Sequence, residues 1–381
     1  MKEKMIYLAA GMMTAAIVFG WGGYSLGLRQ AEVRSLLTDS RKIESRAEVE
    51  TLRKARIRSF DVEEMKIEIG RVGSQLERYR IAQNNLEVWV SKDAVDALSW
   101  LVSQPASYRK RELIRLALQQ YSETDGKGAA EWALENLEGA ELNNSLIAVA
   151  NEWARQNGSE AAQWFLALPD TPERDAAVEN TMFVWAGNEP KAAIEFLSQR
   201  GEMEGLASVL RQASFAGWAK SDPEAAVTAS LQISKQENDP EQFANTIANW
   251  ATVDLEKSSS WLIENLEKGE QRTVAAAELG AIFAQQSPED GVQFLSKLSE
   301  GEERELVGNA FAAEWASFGP EEAANWASTQ QVIQLTEYTA SEIAGNYLMK
   351  KPEEFTIWKN SLEVGVLRTV AEQVGQLPEQ E

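Results

Sequence analysis

The sequence contains no cysteine and no histidine. Disulfides, thiolate metal sites, Cys or His nucleophile systems and imidazole acid-base chemistry are therefore excluded together. No glycine-rich phosphate loop follows a strand, and no ligand cluster has calcium or zinc spacing. Cations become scarce beyond residue 80. Residues 1–80 hold 15 Lys+Arg against 11 Asp+Glu, a net of +4, whereas residues 81–381 hold 22 against 48, a net of −26. A surface this acidic repels nucleic acid and anionic headgroups, which leaves solubility or a cationic partner as its use. So many carboxylates guarantee accidental pairs, and none stands out as a general acid and base. No catalytic, cofactor-binding or metal-ligating residue is singled out, and the chain does not read as an enzyme.

What is present is a repeat. Trp89, Tyr121, Trp153, Trp185, Trp218, Trp250, Phe283, Trp315 and Tyr347 lie 32 or 33 residues apart, the signature of stacked helical units. With that ring as position zero, position plus four is Asp93, Asp125, Asn157, Glu189, Asp222, Asp254, Ser287, Gly319 or Lys351. Most of these suit an N-cap, whose side-chain oxygen accepts from an unpaired N–H of the first turn. Position plus five is often proline (Pro190, Pro223, Pro288, Pro320, Pro352), which suits the first helical residue because its missing N–H is not needed there. Position plus eight is small (Ala97, Ala129, Ala161, Ala193, Ala226, Ser258, Gly291, Ala323), and a second ring follows three residues on at Trp100, Trp132, Trp164, Phe196, Trp261, Phe294, Trp326 and Trp358. Small and large groups at i and i+3 share a helix face and present a ridge and groove to the next unit. A second helix then returns with apolar residues four apart, as in Leu279 and Phe283 or Ile343 and Tyr347. Such a hairpin cannot bury its own apolar face, so stability must come from the stack.

This pattern resembles a tetratricopeptide-type or Sel1-like repeat, with an aromatic late in one helix and small residues three before it (Ala150, Gly280, Ala312, Ala344). The interval is slightly shorter than the usual tetratricopeptide length, and the ring at plus eleven departs from that family. The resemblance implies an all-α, right-handed α-solenoid of about nine hairpins and a superhelical binding surface. It carries over no functional residues.

The rest of the chain sets three expectations. Met5 to Leu28 contains no charged residue, and its length suits a bilayer-crossing helix, with Tyr7, Trp21 and Tyr24 near the ends. No Ala-x-Ala site closes it, so an uncleaved signal-anchor is favoured over a signal peptide. Lys2 and Lys4 argue for one orientation and Arg29, Arg34, Arg41 and Lys42 for the other. The resulting expectation is a single-pass protein of a bacterial inner membrane, with lipid contact through residues 5–28 and a periplasmic repeat domain. Three domains follow: an anchor (1–28), a charged helical stalk or short coiled coil (29–85) and the repeat domain (86–381). Within the stalk, Asp61 and Glu64 form a capping box with Phe60 and Met65 as its staple. Val62, Met65, Ile69, Val72, Leu76, Tyr79 and Leu86 form a seam, so a homodimer through residues 62–86 is one expectation and a cap over the first repeat is the other. Gly70 and Gly73 weaken that helix.

Two units break the pattern. The unit of Trp218 has Ala229 where the second ring should be, and a polar insertion, Lys235 to Asp239, before a capped start at Asp239-Pro240. The next replaces its proline with Leu255 and carries Ser258, Ser259 and Ser260. Irregular repeats can mark a ligand site or a kink or can reflect ordinary drift, and the sequence leaves open whether residues 218–282 form a binding site. The functional expectation is a membrane-anchored scaffold for a protein or peptide, a basic one on the cationic-partner reading of the charge, with no nucleic acid and no cofactor. The alternative is a component acting on envelope polysaccharide, which needs a compact catalytic module outside the repeats.

Overall fold

The computed structural model describes residues 57–200, 205–330 and 333–376, together with Thr51 and Lys54. Among the described residues every regular element is an α-helix. The chain divides into two units, Met1–Asp93 and Ala94–Glu381.

The N-terminal unit holds α1 (Val62–Arg71) and α2 (Gln75–Lys92). The Asp61 carboxylate accepts from the backbone N–H groups of Glu63 and Glu64 at 2.9 and 3.1 Å, so the helix starts where a cap was expected. The expected seam does not run through one helix. Val72, Gly73 and Ser74 leave helical geometry, and α1 packs back on α2. Met65, Ile69, Tyr79 and Leu86 are buried, whereas Leu76 is exposed. The break next to Gly70 and Gly73 has a physical cause, since glycine is the residue that loses most freedom on entering a helix.

The expectation of a single-pass membrane protein is corrected. Among the described residues no helix is long and apolar enough to cross a membrane. Residues 5–28, on which that expectation was built, lie outside the described residues.

With two exceptions the second unit alternates shorter and longer helices: α3 (Ala94–Ser103), α4 (Tyr108–Ser122), α5 (Gly126–Asn136), α6 (Gly139–Leu166), α7 (Pro172–Asn188), α8 (Pro190–Ser198), α9 (Leu206–Ser221), α10 (Pro223–Glu237), α11 (Pro240–Ala251), α12 (Leu255–Asn265), α13 (Glu270–Gln286), α14 (Pro288–Lys297), α15 (Glu302–Phe318), α16 (Pro320–Thr329), α17 (Glu337–Lys350), α18 (Pro352–Ser361) and α19 (Val366–Val374). The exceptions are α10, which is longer than α11, and α19, which is short. α6 is two helices joined across Asn157, whose φ of −152° and ψ of 82° are not helical. Asn157 is therefore the cap its place in the repeat implies, and its side chain accepts from the Glu160 N–H at 3.1 Å. In succession α4, α6, α7, α9, α11, α13, α15, α17 and α19 each pack against the next, with the shorter helices set beside them.

The small residue at plus eight explains how the shorter helices enter. Ala97, Ala129, Ala161, Ala193, Ala226, Ser258 and Ala323 are all wholly buried. At Gly291 a Cβ would lie only 2.4 Å from the Phe311 ring of α15, so a side chain of the following unit occupies the space left free. The two recurring rings meet within their own hairpin. Centroid separations are 5.5 Å for Trp153–Trp164, 5.2 Å for Trp185–Phe196, 6.3 Å for Trp250–Trp261, 5.1 Å for Phe283–Phe294, 6.0 Å for Trp315–Trp326 and 5.3 Å for Tyr347–Trp358. Such pairs add about 0.5–1.5 kcal/mol beyond the area they bury. Links between units also use them. Trp153 lies against Gly126 and Trp185 against Gly158, while the Trp358 indole N–H donates to the Ala324 carbonyl at 3.3 Å.

In several units a basic residue stands eleven positions before the ring, or in Arg368 at the same interval one unit on, and ties the helix to the loop it emerges from. Arg78 donates to the Val72 carbonyl at 2.7 Å. Lys110 reaches Val102 and Gln104 at 2.6 and 3.1 Å. Arg272 reaches Leu266 at 2.8 Å, Arg304 reaches Leu298 at 3.1 Å and Arg368 reaches Leu362 at 3.0 Å. Most of the acceptors are the C-cap carbonyls of the preceding shorter helices, groups with no partner inside the helix. Arg174 holds the same place but pairs with Asp170 and Asp175.

Candidate functional site

The irregular unit keeps its length by moving its turn. α10 absorbs the polar insertion as extra helical residues and ends on Asn238, whose φ of 55° is left-handed. Asn tolerates that conformation better than most residues with a Cβ. The Ser234 hydroxyl donates to the Asp239 carbonyl at 2.6 Å, and Asp239 caps α11 through the Gln242 N–H at 3.3 Å. α10 thus has 15 residues and α11 only 12. The polar insertion at 235–239 is mostly helix.

Within that unit the ring pair is missing. Ala229 stands where Trp164, Phe196, Trp261, Phe294, Trp326 and Trp358 stand in other units. Trp218 stacks instead on Phe215 of its own helix, with centroids 5.9 Å apart and planes 14° apart. Phe215, Trp218, Ala219 and Ala226 form a small core cluster, against which Ile194, Ala225, Ala229 and Ile233 pack. Beside Ala229 opens a cleft of about 490 Å³, within the size range of ligand sites. Its apolar walls are Trp218, Ala225, Ala229 and Trp261, and Thr228 and Gln232 are its neutral polar groups. Lys191 comes from α8, while Asp222 and Glu224 stand at the start of α10. Asp222 accepts from the Ala225 N–H at 3.2 Å. Among the described residues neither Glu224 nor Lys191 is within ion-pair distance of an opposite charge. Nearby, a hydrogen bond from Lys257 and its charge hold the Asp254 carboxyl below the usual range.

A second cleft, of about 440 Å³, lies where α7 and α9 cross, with Arg155, Phe183, Gly187, Gly217 and Lys220 among its walls. It exists because the helices touch backbone to backbone: a Cβ on Gly217 would lie 1.9 Å from the Phe183 carbonyl oxygen. The Lys220 ammonium sits 4.6 Å from the Phe183 ring centroid, and Arg155 pairs with Glu152.

The longer helices also carry a series of part-buried carboxylates. Burial raises the Glu278 carboxyl above its ordinary range, and the neighbouring charges of Glu241 and Glu314 raise it further. Glu241 is raised by burial and by Asp239. Glu314 is raised by burial, partly offset by a hydrogen bond from Gln285 at 2.9 Å. Among the described residues no group of three or more acidic side chains could hold a metal ion. No family model, no curated protein and no solved structure matches the chain. The arrangement offers an aromatic-walled cleft and an acidic row. Ala229 had already marked the unit in the sequence, whereas the cleft itself becomes visible only once the two rings of a hairpin are known to touch.

Proposed function

We propose that the chain is a right-handed α-solenoid of about nine helix hairpins, similar to tetratricopeptide and Sel1-like arrays, acting as a scaffold for a basic protein or extended peptide. The observation that carries this reading is the succession of Glu241, Glu278 and Glu314 on α11, α13 and α15, each on a longer helix packed against the next. Glu241 and Glu314 raise the proton affinity of Glu278 between them, and neighbouring carboxylates of this kind gain from a cation laid across them. An extended cationic segment spans several units, as no single unit gathers enough chemistry to act alone. The surrounding net charge of −26 over residues 81–381 steers such a partner toward the surface.

Crosslinking and affinity capture with the full chain, at low and at high salt, tests the proposal. A basic protein crosslinked at low salt and released at high salt supports it. Salt-independent capture removes the electrostatic part, and turnover of cell-wall glycan by the purified chain replaces the scaffold with an enzyme.

A further inference from the structure

Six of the seven units from Trp153 to Tyr347 bring their own second ring to the first, at 5.1–6.3 Å. The unit of Trp218 alone among them has a methyl group at that place. The helix that should carry the ring is present and in register: Asp222 caps it, Pro223 opens it, and Ala226 at plus eight is wholly buried. Only the aromatic group is lacking, and a cleft of about 490 Å³ with indole walls stands in its stead. Drift that merely weakened the repeat would be expected to let neighbouring side chains collapse into the gap. Here Trp218 is held away by stacking on Phe215, and Trp261 is engaged with Trp250 and Phe243 at 6.3 and 6.4 Å.

We propose that this cleft is a docking site for an aromatic side chain of a peptide partner that carries a lysine or arginine next to it. The ring takes the place left by Ala229, between Trp218 and Trp261. The adjacent cation meets Asp222 and Glu224 on the rim, where the chain's own cations are Lys191 in the same lining and Lys257, whose charge reaches Glu224 from beyond ion-pair distance. Charge complementarity selects this occupant over a purely apolar one, and the six internal ring pairs show the geometry that it adopts. This inference rests on the scaffold reading and names what one stretch of the partner must look like.

The test uses the full chain and the peptide acetyl-Gly-Lys-Trp-Lys-Gly-amide bearing 5-fluorotryptophan, followed by fluorine NMR. The wild-type chain should broaden and shift the fluorine signal in a saturable way. Ala229→Trp fills the place from within; it should raise the melting temperature, by adding a seventh ring pair to the series, and weaken the probe more than about tenfold, as expected when an anchoring ring loses its pocket. Asp222→Asn keeps a capping side chain and Glu224→Gln keeps the shape. Each should weaken the probe about threefold at low salt without changing the melt. The inference is overturned if the probe fails to bind the wild-type chain, if Ala229→Trp lowers the melting temperature, or if either charge variant binds as well as wild type. Should Ala229→Trp still crosslink the basic protein captured by wild type, with the probe unbound by either, this cleft is wrong while the scaffold stands. Loss of both the captured protein and the probe removes the two readings together.

Discussion

Replacing Gly217 by alanine should destabilise the protein, although alanine is the better helix former. Gly217 lies inside α9, where exchanging glycine for alanine ordinarily gains about 1 kcal/mol. Against that, the new Cβ would sit 1.9 Å from the Phe183 oxygen and 2.8 Å from its carbonyl carbon. Ordinary contact begins near 3.4 Å, so α7 and α9 must separate by about 1.5 Å. The obstacle is backbone and cannot rotate away, which places the cost at the upper end of the overpacking range, about 3 kcal/mol. The net loss is about 2 kcal/mol, which lowers the melting temperature by about 4–8 °C. Two controls bracket this value. A Cβ on Gly187 meets the Gly217 oxygen at 3.4 Å and one on Gly345 meets nothing within 4 Å, so Gly187→Ala should be near neutral and Gly345→Ala should gain about 1 kcal/mol. Thermal and urea unfolding followed by circular dichroism would rank the three. If Gly217→Ala matches Gly345→Ala, the close crossing of α7 and α9 is wrong.

Three further outcomes are expected. Arg272 and Glu303, both buried, approach to 2.8 Å between α13 and α15, and neither Glu303 oxygen accepts a hydrogen bond; Glu303→Ala, which leaves the Arg272 tie to the Leu266 carbonyl in place but strands its buried charge, should cost about 3–5 kcal/mol, and a Glu303→Ala variant as stable as wild type refutes the assignment. Arg304→Met frees the Leu298 carbonyl and should cost about 1.5–3 kcal/mol in urea unfolding; an unchanged midpoint would mean that the clamp adds nothing. Glu278, raised from 4.5 with Glu241 and Glu314, binds its proton more readily folded than unfolded, so stability should rise as pH falls from neutral toward 4.5. Glu278→Gln should stabilise the chain at neutral pH and flatten that slope, and a slope unchanged by the substitution counts against burial as its source.

The helix hairpins were legible in the sequence because a ring at a 32–33-residue interval and a following turn, with a proline in five of the nine units, mark the starts. The caps were legible by position more than by chemistry. Asp125, Asn157, Asp222 and Asp254 accept backbone N–H groups at 2.8–3.2 Å. Glu189, Ser287, Gly319 and Lys351 adopt the same backbone at the N-cap with no side-chain cap bond. Glu189 instead accepts from the Trp185 indole at 3.1 Å. The rings were read as a surface for the next unit, yet they first close their own hairpin, because residues at zero and plus eleven lie on the two helices flanking one tight turn. The basic clamp escaped a reading that ran forward from the ring, although Arg78, Lys110, Arg174, Arg272 and Arg304 recur eleven residues before it. The 62–86 seam was misread because periodicity survives a break of three residues. The vacancy at Ala229 could be seen as a departure in sequence; that it opens a cleft depends on Trp218 turning to Phe215, which no spacing reveals.

Ala207 and Asp239 occupy the clamp position in the two units on either side of Ala229. Two fastenings used elsewhere, the arginine tie and the ring-on-ring clasp, are therefore absent from the same stretch. In a molecule held together by contacts between neighbours, tension applied at the two ends finds its weakest joint. The chain would rupture between α9 and α11 first, leaving two blocks that are each still fastened.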